Sequence, residues 1–373
     1  MVDSAIESPN PLLLCKLQSG KFLVDALQSL PSAASLSSDL VLVVVPRNQN
    51  GLRFVVQESG YFQACVTLPR ELFTLFECHP PADVVEDTAF QVPRTELLTC
   101  LQLFVGCTGP VDRSALGAPL RMLYQRRGSP LQLLLQIDPT SYLDCEVQTA
   151  AQVPLHDFEF LQVPIYNDAV IMSRVLAICL AELDYTGAAA AQLSMVPYPC
   201  PGLRMQALGD QTVSNVRVQI PFFGTGDDEP AEDVAFLEFE CVQEQTVAYS
   251  ALLLKRCLRA LQRADLVRLR MNANDVLHMT ARVPLPTGHG FRNSVNRKTN
   301  AVVEVALAAS EGAFPASQHC FFEFLVAPLA FVPGAQPGAS LAANEEDPHD
   351  MAAARECAPD LGAPGSNEAL DVS

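Results

Sequence analysis

Lys255, Arg256, Arg259 and Arg263 all fall within residues 250–264, and on a helix they share one side. Leu253, Leu254, Cys257, Leu258, Ala260, Leu261 and Ala264 occupy the other side, and only Leu252 interrupts the cations. No acid lies between Glu244 and Asp265, so no carboxylate at i,i+4 within the segment neutralises the stripe. Cations spaced in this way meet phosphates without reading bases. Taken alone, the stripe reads first as a solvated helix face; phosphate contact is the second reading.

A different chemistry is suggested by Asp144-Cys145-Glu146 and Asp157-Phe158-Glu159. Alternate residues of a strand face the same way, and two-metal nucleases hold their ions with such carboxylates. Asp-x-Glu is a common spacing, however, and no further acid-plus-histidine set lies near either pair in sequence. There is no Gly-x-Ser-x-Gly elbow and no Gly-x-x-x-x-Gly-Lys phosphate loop. The twelve cysteines include no Cys-x-x-Cys pair, and the neighbours Cys78-His79 and His319-Cys320 would point to opposite faces of a strand. Free buried thiols in a reducing compartment are therefore expected. No metal and no cofactor are expected, and the chain is read as non-catalytic, with a metal-dependent 3'-5' exonuclease as a rival.

The formal charge of −18 argues against indiscriminate nucleic-acid binding. Part of it is concentrated in residues 333–373, where eight carboxylates face the single Arg355, a net of −7 that leaves −11 for the rest. That stretch is rich in Pro, Gly, Ala and acids and is expected to be a disordered tail. Elsewhere the composition is that of a globular protein, and a length of 373 residues suits about two domains. No apolar run approaches a membrane span, and Met1-Val2-Asp3-Ser4 lacks the basic start of a signal peptide.

The elements that must position these residues come in two similar sets. Val45-Pro46…Gly51-Leu52-Arg53 recurs as Val196-Pro197…Gly202-Leu203-Arg204, 151 residues later. Before the first copy, residues 12–18 read as a strand and 21–30 as a helix; strands at 39–45 and 51–57 form a hairpin through 46–50, and strands at 61–68 and 72–78 follow. A helix over 94–105 and strands at 120–125, 131–137 and 142–149 complete this half. The second half is predicted to repeat the order. It has a strand at 158–163, a helix at 168–183, a hairpin around 197–201 and strands near 213–220 and 234–242. The basic helix at 250–264 follows, with strands at 266–271, 276–283 and 320–327. Cys257-Leu258 echoes Cys100-Leu101, and Arg268-Leu269 echoes Arg121-Met122. The expected fold class is α+β, with antiparallel sheets and both helices of each half on one face. The boundaries are 12–149, a connector at 150–157, and 158–332 with an inserted loop at 284–318. That insert carries Arg292, Arg297 and Lys298 and one further candidate strand at 302–307.

This layout resembles the eukaryotic DNA sliding clamps, the proliferating-cell-nuclear-antigen family, and within it the checkpoint (9-1-1) ring. The words that carry the resemblance run from Leu120-Arg121-Met122-Leu123-Tyr124-Gln125 through Gly128-Ser129-Pro130-Leu131 and Asp157-Phe158-Glu159-Phe160. They continue with Glu182-Leu183-Asp184-Tyr185-Thr186 and Cys320-Phe321-Phe322-Glu323-Phe324, collinear over residues 12–328. The loop at 107–119, the insert and the tail depart from the pattern. The resemblance implies a nuclear protein that joins two other clamp-like subunits, edge strand to edge strand, into a heterotrimeric ring around double-stranded DNA. The ring would be loaded by a clamp loader and would tether repair or checkpoint proteins. Lys255, Arg256, Arg259, Arg263, Lys21 and Arg174 would then face DNA, while Val153, Leu155 and Phe158 would line a groove for client peptides. The pairing edges would be the strands around 142–149 and 213–220. A scaffold that binds only proteins is the alternative, with the cationic helix gripping an acidic partner.

Overall fold

The computed structural model describes residues 10–17, 20–32, 39–48, 50–58, 60–79, 87–107, 119–136, 142–151, 153–197, 200–208, 216–222, 235–284 and 319–329. The candidate strand at 302–307, the cations Arg292, Arg297 and Lys298 and the acidic tail lie outside them. All the described elements belong to one compact unit, Met1–Pro333.

The first half runs β1 (Leu13–Leu17), α1 (Gly20–Ser29), β2 (Leu40–Val45), β3 (Gly51–Glu58), β4 (Phe62–Pro69), β5 (Phe73–Cys78), β6 (Thr88–Pro93), α2 (Arg94–Cys107), β7 (Leu120–Tyr124), β8 (Leu131–Gln136) and β9 (Tyr142–Val147). The second half runs β10 (Ile165–Met172), α3 (Ser173–Tyr185), β11 (Ala190–Val196), β12 (Gly202–Leu208), β13 (Arg217–Pro221), β14 (Phe236–Cys241), β15 (Gln245–Ser250), α4 (Ala251–Leu261), β16 (Leu266–Asn272), β17 (Leu277–Pro284) and β18 (His319–Val326). The order of strands and helices is the same in both.

Pairing repeats the order in space. One sheet is β5-β1-β7-β8-β9, and its counterpart in the second half is β14-β10-β16-β17-β18. The set β6-β2-β3-β4 is matched by β15-β11-β12-β13. Each named strand pair is antiparallel, as the hairpin-rich sequence requires. The halves are joined where β18 pairs with β4, merging two of these sets into one nine-stranded sheet. Phe322, Phe324, Val66 and Ala64 are buried along that seam.

The repeated Gly-Leu-Arg has a steric cause. Gly51 (φ 125°) pairs with Pro69, and Gly202 (φ 153°) pairs with Pro221. A Cβ at Gly51 would overlap the Leu68 carbonyl, and one at Gly202 the Ile220 carbonyl. Leu52 and Leu203 follow them into the core.

The sequence-based boundaries fail in three places. Residues 168–172, expected to open a helix, belong to β10, where Ala169 and Ile171 face the core between β14 and β16. Pairing on both sides overrides a helical spacing that only begins at Ser173. Residues 158–163 form no strand; Phe160–Gln162 is a 3-10 turn, and Phe158 and Phe160 pack with Val276 and Ala327. Strands β6 and β15 were not anticipated, because each is a short alternating run that passes directly into a helix.

Helices pair within halves, α1 with α2 and α3 with α4. Arg94 is buried at the start of α2 and donates to the carbonyls of Leu27 and Leu30 at the end of α1. Those carbonyls have no partner within their own helix, so the guanidinium caps it. Asp39 lies 3.6 Å from Arg94, and burial lowers the arginine's pKa against that charge. No described helix is long and apolar enough to cross a membrane.

Candidate nucleic-acid interface

Helix α4 buries Leu254, Cys257, Ala260 and Leu261 and turns Lys255 and Arg259 outward, with Arg263 just beyond its end. Leu252 is exposed among them, as the wheel predicts. The stripe is not electrostatically free, however. Lys255 Nζ lies 2.8 Å from Asp184 on α3. Arg263 lies 3.1 Å from the Asp25 carboxylate and donates to Ser29 Oγ and the Asp25 carbonyl on α1. Arg256 is ion-paired with Glu58 at the end of β3, and its side chain is only 15% exposed. Arg259 makes a long contact, 3.5 Å, with Gln28 Oε1.

These partners change the assignment. Arg256 points into the junction between halves and acts as a pin; it is not presented to a ligand in this state. Arg259 and Arg263 bridge α4 to α1, so the two helix pairs meet across that line. Lys21 on α1 and Arg174 on α3 are both exposed, each with interactions of its own. Apart from the buried Arg94 and the pinned Arg256, the helices and the turn through Arg263 carry five cations and four carboxylates, Asp25, Glu96, Glu182 and Asp184. That face is mildly cationic on a chain of net charge −18. The sequence could not reveal the neutralising acids, since Glu58 stands 198 residues from Arg256.

Two sheet edges that are free among the described residues are relevant to assembly. β9 ends one sheet and β13 ends another, near the edges expected from the sequence. Leu143 and Cys145 on β9, and Val216 and Val218 at β13, are only partly covered by the core they pack against. Tyr142, Asp144 and Glu146 point outward from β9, and Arg217 and Gln219 from β13.

Of the three groove residues, Val153 and Leu155 are exposed, whereas Phe158 is buried under the junction. His156 stacks edge-on against Phe158 at 4.9 Å, and its backbone N–H donates to Gln57 Oε1, which holds the connector against β3. Leu161 and Tyr61 are exposed as well.

The carboxylate pairs are engaged otherwise. Glu146 accepts from Gln132 Nε2 at 2.9 Å, and Asp157 accepts from the Glu159 backbone N–H and from Gln162. Among the described residues no group of three His, Cys, Asp or Glu side chains is placed to hold a metal ion. Cys15, Cys65, Cys78, Cys179, Cys257 and Cys320 are buried free thiols, and burial pushes the Cys65 thiol up to about 11 and Cys320 to about 12.

A family model described as repair protein Rad1/Rec1/Rad17 matches residues 14–281. No curated protein matches the chain. The match spans most of both halves, and the chain belongs to the Rad1/Rec1/Rad17 family, whose fold is that of the sliding clamps.

Proposed function

We infer that this chain is a non-catalytic subunit of a nuclear, heterotrimeric sliding clamp that encircles duplex DNA and tethers repair and checkpoint proteins. One observation carries the reading: an identical strand order in both halves, joined through β18 and β4, leaves the outer sides of β9 and β13, the counterparts of β18 and β4, without a partner strand among the described residues. Edges of this kind, with half-covered apolar residues, are aggregation-prone unless a neighbour completes them. Two clamp-like subunits, one at each edge, would do so. The two clamp domains are 12–149 and 158–332, linked by the connector at 150–157.

The DNA-facing set is Lys255, Arg259 and Arg263 with Lys21 and Arg174, on helices that pack side by side. Their carboxylate partners keep the net attraction small, which suits a ring that slides and reads no sequence. Val153 and Leu155 on the connector supply an apolar surface for client peptides. Nuclease activity has little support, because Asp144 and Glu146 sit on the β9 edge, where a neighbouring strand would cover them.

The test is co-expression with two clamp-like chains and measurement of DNA retention by the assembled ring. Arg259→Glu with Lys255→Glu is expected to lower retention several-fold while assembly is unchanged. Unchanged retention would remove the helices from the DNA contact. Metal-dependent cleavage lost in Asp144→Asn would instead establish the exonuclease.

A further inference from the structure

Arg121 and Arg268 occupy equivalent places in the two halves, yet their surroundings are opposite in kind. Leu131 opens β8 and Leu277 opens β17; three residues on, Leu134 pairs with Arg121 and Thr280 with Arg268. Both arginines point away from the core. In the second half Arg268 lies opposite Val170 and forks onto Asp168, two residues earlier on β10, at 2.6 and 2.9 Å. In the first half Lys16 stands where Val170 does, directly opposite Arg121, and Leu14 stands where Asp168 does. Like charges directly across a strand pair repel. Among the described residues neither the Lys16 nor the Arg121 side chain forms a hydrogen bond or an ion pair. The first half thus keeps a cation pair that the second half has neutralised.

Around that pair the outward face of the sheet is apolar. Leu75 lies beside Lys16 and Leu134 beside Arg121; in the next row Leu14 lies beside Leu123. All four leucines are half-buried. On these five strands the acids stand at the margins, Glu77 on the edge strand β5 and Asp144 and Glu146 on the edge strand β9. Arg126 and Arg127 are exposed in the turn that follows β7.

We propose that this face docks an acidic peptide segment of a partner protein, seating carboxylates on Lys16 and Arg121 and an apolar side chain over Leu14 and Leu123. The surface shares no residue with the connector or the helices, so the proposal goes beyond the clamp reading and does not depend on it. A carboxylate placed between the two cations accepts charge-assisted hydrogen bonds from both and cancels their repulsion. The spacing sets the motif. Arg121 and Leu123 are alternate residues of one strand, so an extended peptide aligned with β7 must present Glu-x-Leu or Leu-x-Glu. Charge complementarity favours such a peptide over nucleic acid. The carboxylates on both margins repel a continuous phosphate backbone, whereas a short segment fits between them, and the leucines give phosphates no partner.

Fluorescence anisotropy with the full chain tests the site. The probe is a labelled peptide carrying Glu and Leu two residues apart on a serine background. It is expected to bind, and its counterpart with Gln for Glu to bind about tenfold or more weakly. Lys16→Gln and Arg121→Gln should each weaken the acidic peptide by a similar factor. Both variants should nevertheless unfold at an equal or higher urea concentration than wild type, because each removes a like-charge repulsion. DNA retention by the assembled ring should be unchanged in Arg121→Gln, which keeps this test separate from that of the clamp reading. Equal binding of the two peptides, or normal binding by the variants, would overturn the proposal. A fall in stability in both variants would also overturn it, by making the pair structural. So would loss of DNA retention in Arg121→Gln, which would make the face a nucleic-acid contact.

Discussion

Gly51 and Gly202 show why a short word survives in both halves. Each begins a strand at positive φ against a carbonyl of the next strand, where no side chain fits. Gly51→Ala and Gly202→Ala are each expected to destabilise by more than ~1 kcal/mol, since Gly→Ala stabilises by up to about that amount where the backbone allows a side chain and destabilises by more where it does not; urea unfolding midpoints would measure it. His278 supplies a second residue-level prediction. Burial first, then Arg270 and Arg268, pushes it down from its ordinary 6.5 to about 3. The unfolded chain thus takes up a proton below about pH 6.5 that the folded chain refuses until about pH 3, so stability falls as pH drops through that window. Burial likewise lowers His319, with the same sign. In His278→Gln the stability deficit at neutral pH should shrink as the pH is lowered. The glycine motif was legible because the backbone itself demands glycine. The ion pairs of Arg256 and Arg263 were not, because their carboxylates come from distant elements.

The three cations of α4 and Arg263 just beyond it separate into different roles once the helix is packed. Arg256→Ala is expected to lower stability by about 1–2 kcal/mol, because Glu58 loses its partner in a largely covered position. Arg259→Ala should leave stability nearly unchanged and act on DNA retention alone; thermal melting beside a retention assay would separate the two. The β16–β17 hairpin depends on a buried amide. Asn272 Oδ1 accepts from the backbone N–H groups of Asn274 and Val276, and its own carbonyl accepts from Gln245, which also bonds Asn167 and Asp275. Asn272→Ala would orphan two of those donors and is expected to cost about 2–3 kcal/mol by chemical denaturation. The amphipathic face of α4 was plain in the sequence, and so were most strands, since period and turn chemistry mark them. β10 was hidden because Asp168–Met172 suits a helix by spacing and is held as strand only by neighbours on both sides.

At the scale of the molecule, duplication was legible in the chain order, but the way the halves join was not. Two halves could be linked by a connector alone; here they share a continuous sheet through β18 and β4. That joint forms a long-range contact, with 270 residues between Arg53 and Glu323. A ribosome adding roughly 5–20 residues per second needs on the order of tens of seconds to cover that distance. Throughout that interval β4 exists without the strand that completes it, a hydrophobic margin open to wrong pairing. Nascent chains stalled before residue 319 are therefore expected to recruit chaperones, and to release them once β18 has emerged.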